Sequence, residues 1–337
     1  MPTTVTKSIG TSGRDYSTLQ SWEDACPADL VSADQIWKGE CYNDSEFTAG
    51  VTISGQTTDS TRYVWLTAAA GHSFKDHANV RTNALAYSTA NGVGITASGA
   101  TDDIVSASSS YTLIERLQVK RTGTGGAYTA NRCIAVGYFG NGSHIRDCIA
   151  QRSSTYPRVV IFVGGNRVTN CAVLSSNGGT GIETDDGGIV MNCSVVNTGS
   201  VSGTGVRVSY YYGTVSNCVM TDWTTGTNAA SARQEYNATS DTTAAGTGAV
   251  TSIVAADCFV DPATDLRLKA GSVLIDAGNT DATYAPNDIS GTARDAGLDG
   301  DIGAWEYTSG GGGGGGVIEP FLRARRPGVT WTNDRSA

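Results

Sequence analysis

A short motif recurs four times in the middle of the chain, as Ile145-Arg-Asp-Cys148-Ile-Ala, Val168-Thr-Asn-Cys171-Ala-Val, Val190-Met-Asn-Cys193-Ser-Val and Val215-Ser-Asn-Cys218-Val-Met. Its cysteines are 23, 22 and 25 residues apart, and an earlier copy has Leu117 in place of cysteine. Apolar stretches repeating at such an interval, separated by Gly, Asn, Ser and Thr, are typical of stacked repeats. One copy is too short to bury its own apolar face, so the copies must stack into a solenoid.

The repeat has the character of β-strands. Its apolar residues lie two or three apart, many are β-branched, and no copy has a helical period of 3.6 residues. A second strand is predicted before each cysteine strand, at 160–163, 181–184 and 206–208, with tight corners at 164–166, 187–188 and 212–213. Parallel pairing of equivalent strands in successive turns predicts an all-β parallel β-helix. The Asn or Asp before each cysteine should form a polar ladder at a corner, and the cysteines an inner column.

Eight cysteines could form four disulfides in a secreted protein. Cysteine is also a good small buried residue, and Leu117 fills its place in one copy. Side chains stacked in parallel point the same way, which is poor geometry for a disulfide. The sequence therefore predicts reduced, structural cysteines, and leaves open the pairing of Cys26 and Cys41. No C-x-x-C pair exists, so zinc has no support.

Composition limits the classes of function. The chain has 337 residues, a net charge of −9, 16% charged residues and 43 glycines, which fits a turn-rich all-β protein. The acidic balance argues against nucleic-acid binding, and no apolar run reaches the length of a membrane span. Residues 1–8 contain no hydrophobic signal region, which predicts that the ordinary secretory route is not used. No cofactor is predicted.

We expect five segments along the chain. They are an N-terminal cap and first coil at 1–49, the parallel β-helix at 50–265, a closing segment at 266–307, a Gly-rich linker at 308–316 and an anchor peptide at 317–337. A helix capped by Ser17, with Gln20 completing a capping box, should cover the open end of the first coil. Residues 224–250 should be a surface loop, and a last coil should resume at Cys258.

Three runs near the end resemble a known family. They are Ser272-Val-Leu-Ile275-Asp-Ala-Gly278, Gly291-Thr-Ala-Arg294 and Asp301-Ile-Gly-Ala-Trp-Glu306-Tyr307. In order and identity they resemble the closing segment of pectate-lyase-like right-handed parallel β-helix proteins, often labelled a choice-of-anchor Q domain. The opening at 9–19 resembles the start of such proteins, so the resemblance covers about 5–307. It implies a right-handed parallel β-helix but no particular function, because this fold hosts many.

Glycan hydrolysis would need two carboxylates at a separation set by the mechanism. Glu183, Asp185 and Asp186 lie together, and the first two could share a strand face. This resembles a fragment of the Asp-Asp step in polygalacturonase-like hydrolases, but the His-Gly and Arg-x-Lys elements of that family are absent. A solvated acidic turn is therefore favoured.

Lyase chemistry would need a calcium cluster and a basic residue. Lys120, Arg121 and Arg152 follow strands, but no acidic triad accompanies them. The histidines show no metal-ligand spacing and fit satisfied loop residues. Among the tyrosines at 210–212, at least one must be a surface aromatic, because alternate strand residues point oppositely. The sequence predicts no catalytic residue, no metal site and no enzymatic activity.

The C-terminal tail differs from the body. Seven glycines, 310–316, form a tether without a core, and residues 317–337 carry a charge of +2 against −11 for the rest. We expect this tail to bind a partner protein. The candidate binding residues are Phe321, Leu322 and Trp331 as apolar plugs, and Arg323, Arg325 and Arg326 as partners for an acidic surface.

An acidic β-helix with no secretion signal, a polyglycine tether and an Arg/aromatic tail looks like a bacteriophage virion protein. The sequence predicts a capsid decoration or head-fibre protein in the virion, bound through its tail to capsid or neck and tail proteins. Resemblance to virus spikes suggests a homotrimer. The alternative is a tailspike or tail-fibre protein that binds or depolymerises host surface polysaccharide. A bacterial adhesin would require a secretion signal.

Overall fold

The structure of the chain is a computed structural model. It describes residues 1–76, 79–98, 102–123, 131–137, 142–153, 158–185, 187–200, 202–209, 212–229, 231–279, 285–294 and 299–308. The predicted anchor peptide and its six candidate binding residues, Phe321 to Trp331, lie outside these residues, as does all of the linker except Thr308.

Within the described residues, three parallel sheets run the length of the body. The first sheet contains β1 (Thr3–Ile9), β2 (Gln35–Cys41), β4 (Val64–Ala68), β7 (Thr112–Glu115), β10 (His144–Arg146), β13 (Arg167–Thr169), β16 (Ile189–Met191), β19 (Thr214–Ser216) and β22 (Arg233–Glu235). The second contains β5 (Gly94–Ala97), β8 (Gln118–Arg121), β11 (Ile149–Arg152), β14 (Ala172–Ser175), β17 (Ser194–Asn197), β20 (Val219–Thr221) and β23 (Ala238–Thr239). The third contains β3 (Val51–Ile53), β6 (Val105–Ala107), β9 (Ile134–Val136), β12 (Arg158–Val163), β15 (Gly179–Thr184), β18 (Gly203–Val208) and β21 (Thr225–Asn228).

Three short helices and one hairpin complete the described structure. They are α1 (Leu19–Asp24), α2 (Leu30–Ala33), α3 (Ala255–Cys258), and the antiparallel pair β24 (Phe259–Asp261) and β25 (Asp265–Leu268).

Equivalent residues of successive turns stack in register and fill the interior. In the first sheet the inner column is Ile114, Ile145, Val168, Val190 and Val215, each fully buried. In the third sheet it is Ile134, Ile161, Ile182 and Val206, also fully buried. Such columns bury apolar area continuously, which no single turn could do. The predicted all-β parallel β-helix is confirmed.

The polar residue before each cysteine turns the chain from the first sheet into the second. Asp147, Asn170, Asn192 and Asn217 all have φ near +53°. Asn and Asp tolerate this left-handed conformation better than other non-glycine residues, which explains their recurrence. At the corners after the third sheet, positive φ falls on Gly165 and Gly187 as predicted. At the corresponding corner of the next turn it falls on Tyr212 rather than on the predicted glycine.

All eight cysteines are free, as predicted for those of the repeat, and all but Cys26 are buried. Cys26 and Cys41, whose pairing the sequence left open, are free as well. Leu117, Cys148, Cys171, Cys193 and Cys218 are fully buried at equivalent points of successive turns. Cys171, Cys193 and Cys218 lie 3.2–3.3 Å, through Sγ, from the carbonyl oxygen two residues before each, so the thiols serve as small packed donors.

Side chains close both ends of the third sheet. At the N-terminal end, Gln20 Oε1 accepts from Thr52 N at 3.1 Å and Glu23 Oε1 from Ser54 N at 3.0 Å. At the C-terminal end, Asp241 Oδ2 accepts from Gly226 N at 2.9 Å. Carboxylate and amide oxygens thus take the place of a neighbouring strand, and the predicted capping helix, α1, is confirmed.

The cap of α1 differs from the prediction by one residue. Thr18, not Ser17, is the N-cap, and its Oγ1 accepts from Ser21 N at 3.0 Å. Gln20 does not complete a capping box, because its side chain bonds to β3 instead.

Two predictions about the C-terminal part are wrong. Residues 224–250 contain β21, β22 and β23, so they form a further turn of the solenoid rather than a surface loop. Cys258 ends the short helix α3 and is followed by the antiparallel hairpin β24–β25, so no coil resumes there. Cys258 is a cysteine like those of the repeat, but no residue with left-handed φ directly precedes it.

The closing segment packs on the outside of the second sheet. Outward residues of that sheet form a separate apolar cluster with it, comprising Ile149, Ala172, Leu174, Val196 and Val219 from the sheet and Leu274, Ile289, Ile302, Ala304 and Trp305 from the closing segment. The segment comes so close at Gly303 (φ +113°) that a Cβ would lie 2.8 Å from Ser194 Oγ. The second sheet is therefore buried on both faces, whereas the third sheet has an open outer face.

Candidate functional site

The open face of the third sheet carries a shallow groove. One outward row, stacked in register, consists of Thr52, Ser106, Ala135, Phe162, Glu183 and Arg207. Small residues form the groove floor, which encloses about 180 Å³ between Thr52 and Phe162. Charged side chains follow where the row continues through Glu183 and Arg207. We call this surface, from Thr52 to Arg207 with Asp103, Arg132 and Asp185, the third-sheet groove.

Glu183 is the most enclosed acid of the third-sheet groove. It lies in β15, is 8% exposed, and pairs with Arg207 of the next turn at 2.6 Å. Ser209 Oγ donates a second hydrogen bond to Glu183 Oε1 at 2.9 Å. The predicted solvated acidic turn is wrong for this residue, because β15 extends to Thr184 and holds Glu183 against its neighbour.

Asp185 differs from Glu183 in its surroundings. It directly follows β15, so strand alternation places it on the same side as Glu183. Partial burial raises its pKa, and the negative charge of Glu183 raises it further, against the lowering effects of Arg132 and Arg207. No described residue donates a hydrogen bond to its carboxylate. Asp186, the third acid of this run, lies outside the described residues.

Arg132 connects the acid pair to the groove floor. Its guanidinium lies over the Phe162 ring at 4.1 Å from the ring centroid and 3.6 Å from Asp103 Oδ2. Asp103 also accepts hydrogen bonds from the backbone of Asn131 and Arg132, at 2.9 and 2.7 Å. These contacts hold the Arg132 guanidinium beside the small residues of the groove floor.

The arrangement can bind a polar ligand through its charges, and it also contains two carboxylates with different neighbours, Glu183 and Asp185. Residues i and i+2 of a strand are roughly 6.6 Å apart along the chain, within reach of the spacing used by inverting glycosidases. The pKa of Asp185 is shifted towards the protonated form, and Glu183 is ion-paired with Arg207. No group of three potential metal ligands occurs among the described residues.

Other residues considered from the sequence have mostly structural positions. Arg121 and Arg152 are 2% and 1% exposed and point into the solenoid, where Arg152 Nη1 donates to Asn131 O at 3.1 Å. They cannot act as surface bases. His144 lies in β10 rather than in a loop, and His77 is outside the described residues. Tyr212 is 83% exposed, which confirms a surface aromatic there.

Sequence reasoning found Glu183 and Asp185 but missed Arg207, Arg132 and Asp103. Arg207 could have been found, because it lies 24 residues after Glu183, one repeat length. Arg132 precedes a third-sheet strand at a position outside the repeat motif, so no spacing signal identified it. Arg132 and Asp103 could be assigned to the third-sheet groove only once the contacts between turns were known.

Comparisons with known proteins found only distant structural similarity. No family model matches the chain, and no curated protein matches it. Among solved structures, a pectin methylesterase variant in complex with a hexasaccharide is similar over 72% of this chain and 80% of its own, at 13% identity and a TM-score of 0.41. A pectate lyase is similar over 90% and 97%, at 13% identity and a TM-score of 0.39. Both are parallel β-helix proteins. No helix within the described ranges has the length and apolar character needed to cross a membrane.

Proposed function

We propose that this protein is a structural component of a bacteriophage particle, a capsid decoration or head-fibre protein attached through residues 317–337. The observation that carries the proposal is the closure of the third sheet at both ends by the chain's own side chains. Closed ends prevent growth by end-to-end strand pairing, so attachment requires another element. The tail, with a charge of +2 and two aromatic residues, supplies an attachment element, and its charge is opposite to the −11 of the body.

Removal of residues 309–337 tests the attachment. Particles of the phage that encodes the chain, assembled without it, are mixed with full-length or truncated protein and sedimented. We expect the full-length chain to sediment with the particles and the truncated chain to remain in the supernatant. Thermal unfolding should be unchanged by the truncation, because both apolar clusters of the body are formed by residues before 309. Equal sedimentation of both proteins would contradict the proposal.

Substitutions within the tail sharpen this test. Phe321→Ala and Trp331→Ala should each reduce occupancy on the particle, whereas Thr330→Ala, a polar neighbour, should not.

Analytical ultracentrifugation of the full chain tests the proposed homotrimer. A monomeric mass would contradict it.

A second candidate function is binding or depolymerisation of host surface polysaccharide in the third-sheet groove, by a tailspike or tail-fibre protein. The specific observation in its favour is the pair of acids in unlike environments, Glu183 against Arg207 and Asp185 with a raised pKa. Hydroxyl-rich chains fit a polar trough bordered by charged groups, as sugar-binding sites need several oriented hydrogen-bond partners.

Host capsular and lipopolysaccharide fractions test this second candidate. Release of oligosaccharide by the full chain, abolished by both Glu183→Gln and Asp185→Asn, would establish cleavage. Retention without release would establish binding. Glu235→Gln is the matched control, because Glu235 also pairs with an arginine on an outer strand, Arg233 at 2.9 Å. If the wild-type chain neither retains these polysaccharides nor releases oligosaccharide from them, this function is excluded.

A further inference from the structure

The N-terminal ends of the three sheets are covered to different extents. The side chains of Gln20 and Glu23 cover the end of the third sheet. At the second sheet, Phe47 N donates to Gly94 O at 3.0 Å and Phe47 O accepts from Thr96 N at 2.8 Å, so this residue covers β5. The first sheet begins with β1, which among the described strands pairs with β2 alone. Its outer edge therefore has no described strand beside it.

Hydrogen bonds show which backbone groups of β1 point towards β2. Thr3 N donates to Asp34 O at 2.9 Å, and Ile9 O accepts from Tyr42 N at 2.9 Å. Both contacts lie on the β2 side of the strand, so the odd-numbered residues of β1 point their N–H and C=O groups to β2. The groups of the even-numbered residues alternate with them and point away from β2.

Two of the three even-numbered residues of β1 are left uncovered. Ser8 N donates to Asp15 Oδ2 at 2.8 Å, and Ser8 O accepts from Tyr16 N at 3.0 Å. Thr4 and Thr6 are exposed, and their outward N–H and C=O groups make no hydrogen bond with a described residue. We call these four backbone groups the β1 edge. An exposed strand edge is a template on which an extended segment can add as a further strand.

The side chains of β1 define which kind of strand fits beside it. Thr4 and Thr6 are exposed, whereas Val5 between them is half-buried and packs against the apolar core. Side chains of neighbouring strands lie beside one another on the same face of a sheet. An added strand therefore fits best when polar residues alternate with apolar ones, with the apolar residues on the side of Val5.

A run in the C-terminal tail has this alternation. Residues 329–332 read Val-Thr-Trp-Thr, so β-branched and aromatic residues, which favour strands, fill all four positions. Pro327-Gly328 precedes the run and Asn333-Asp334 follows it, and such pairs are typical strand boundaries. With the threonines on the exposed side, Val329 and Trp331 fall on the side of Val5.

The tail leaves the body within reach of the β1 edge. Thr308 Oγ1 accepts from Arg81 Nη2 at 3.1 Å, and Arg81 lies in the segment between β4 and β5. In the first sheet β4 is two ladder steps from β1, roughly 10 Å along the solenoid axis. Residues 309–328 connect Thr308 to the run, and a flexible chain of that length spans on the order of 25 Å. The same chain's edge is thus accessible to the run.

Charge favours the same contact. Residues 1–34 comprise β1 and the helices α1 and α2 and contain two basic and five acidic residues, a net charge of −3. The tail carries +2. Opposite charges raise the local concentration of the tail near this end of the body.

We propose that residues 329–332 add to β1 as an extra strand of the same chain, hydrogen-bonded to the β1 edge. The added strand closes the N-terminal end of the first sheet, as side chains close that of the third. A partner that takes up Trp331 has to displace this strand, so the two contacts exclude each other. The strand forms in the free chain, and it depends on neither function proposed above.

Hydrogen–deuterium exchange of the full-length chain, measured at single amides by NMR, tests the proposal without any particle or ligand. The comparison chain carries both Thr330→Pro and Trp331→Pro. Since neighbouring strand residues point opposite ways, the two prolines together remove a donor whichever of them faces β1. We expect Thr4 and Thr6 to exchange about tenfold more slowly in the wild type than in this variant. Ser8 N, already bonded to Asp15, should exchange equally in both.

A chain with Ser336→Pro and Ala337→Pro is the matched control, because it places two prolines in the tail outside the run. Its Thr4 and Thr6 amides should exchange as slowly as those of the wild type. Protection should also be the same at about 1 and about 100 µM protein, since a contact within one chain is independent of concentration.

Three results would overturn the proposal. The first is equal exchange of Thr4 and Thr6 in the wild type and in the variant with prolines at 330 and 331. The second is an equal loss of protection in the control chain. The third is protection that increases with protein concentration, which would assign the added strand to a second copy of the chain.

Discussion

The outer faces of the second and third sheets place arginine beside carboxylates in opposite ways. Over the second sheet, Arg294 of the closing segment is 4% exposed, with Glu306 at 4.0 Å. On the third sheet, Arg207 is 42% exposed and pairs with Glu183 at 2.6 Å. The ion pair with the shorter distance is the more exposed to solvent, so distance alone does not show which pair contributes more to stability. Burial decides whether losing the cation removes a contact or leaves uncompensated charge.

The buried group on the second sheet is a network rather than a pair. Arg294 Nη2 donates to Asn170 Oδ1 at 2.7 Å and to Gly303 O at 2.9 Å, joining the corner ladder to the closing segment. Glu306 Oε2 accepts from Asp301 N at 3.1 Å. The residues that carried the sequence resemblance, the arginine, aspartate and glutamate of the closing runs, meet here. The residues of this sequence pattern are therefore those that form the buried polar cluster.

Removal of the two arginines should give the largest contrast. Arg294→Ala should lower the free energy of unfolding by about 3–5 kcal/mol, because it strands buried acids and carbonyls without their cation. Arg207→Ala should lower it by less than about 1 kcal/mol, since water can solvate Glu183 in its place. Urea denaturation at pH 8 measures both. Similar losses in the two variants would mean that burial does not distinguish the faces.

The pH dependence of stability should report the same buried network. Burial raises the pKa of Glu306 to about 8 and that of Asp301 to about 6. A group whose pKa is raised by folding contributes its full stabilisation below its unfolded pKa and loses it as pH rises through the folded value. Stability should therefore fall between about pH 4 and pH 8, by an amount on the order of 5 kcal/mol through Glu306 and on the order of 3 kcal/mol through Asp301.

Glu306→Gln is the variant that tests this origin. The amide oxygen can still accept from Asp301 N, but the side chain no longer titrates, so the decline above about pH 6 should flatten. Denaturation midpoints at half-unit pH steps provide the measurement. Asp185→Asn, which removes a partly buried acid with a raised pKa from the third-sheet groove, is the comparison variant and should change the slope less than Glu306→Gln does. An unchanged slope in Glu306→Gln would place the titration elsewhere.

The sequence predicted what depends on the repeat. Cysteine spacing, the preceding Asn or Asp and the alternating apolar residues were sufficient for the solenoid, its corners and its reduced cysteine column, because each repeats in four successive turns. The turn at 224–250 was missed because it lacks the cysteine and is rich in Thr, Ala and Gly. For the third-sheet groove, the acids were found within one strand, but Arg132 and the burial of Glu183 depend on contacts between turns that the repeat motif does not encode.

The corner ladder contains a smaller version of the same contrast. Asn170 and Asn192 have the same φ of 53° and are both nearly buried, yet they differ in partners. Asn170 Nδ2 donates to Asn287 O at 2.6 Å and to Asp147 Oδ1 at 3.1 Å, and its Oδ1 accepts from Arg294. Both amide atoms of Asn192 lack a hydrogen-bond partner among the described residues. The backbone requirement is shared, whereas the side-chain contribution is not.

Glycine substitution separates these two contributions, because glycine keeps the left-handed corner and removes the amide. Asn170→Gly should cost about 1–2 kcal/mol, since in a buried site it removes the hydrogen bond that Asn170 Oδ1 accepts from Arg294 and the one that Asn170 Nδ2 donates to Asn287 O. Asn192→Gly should change stability by less than about 0.5 kcal/mol, because the unpaired amide gains nothing from burial. Chemical denaturation of both variants at one pH makes the comparison. Equal losses would show that the ladder stabilises the solenoid through the side chain at every turn, including the one where no partner is described.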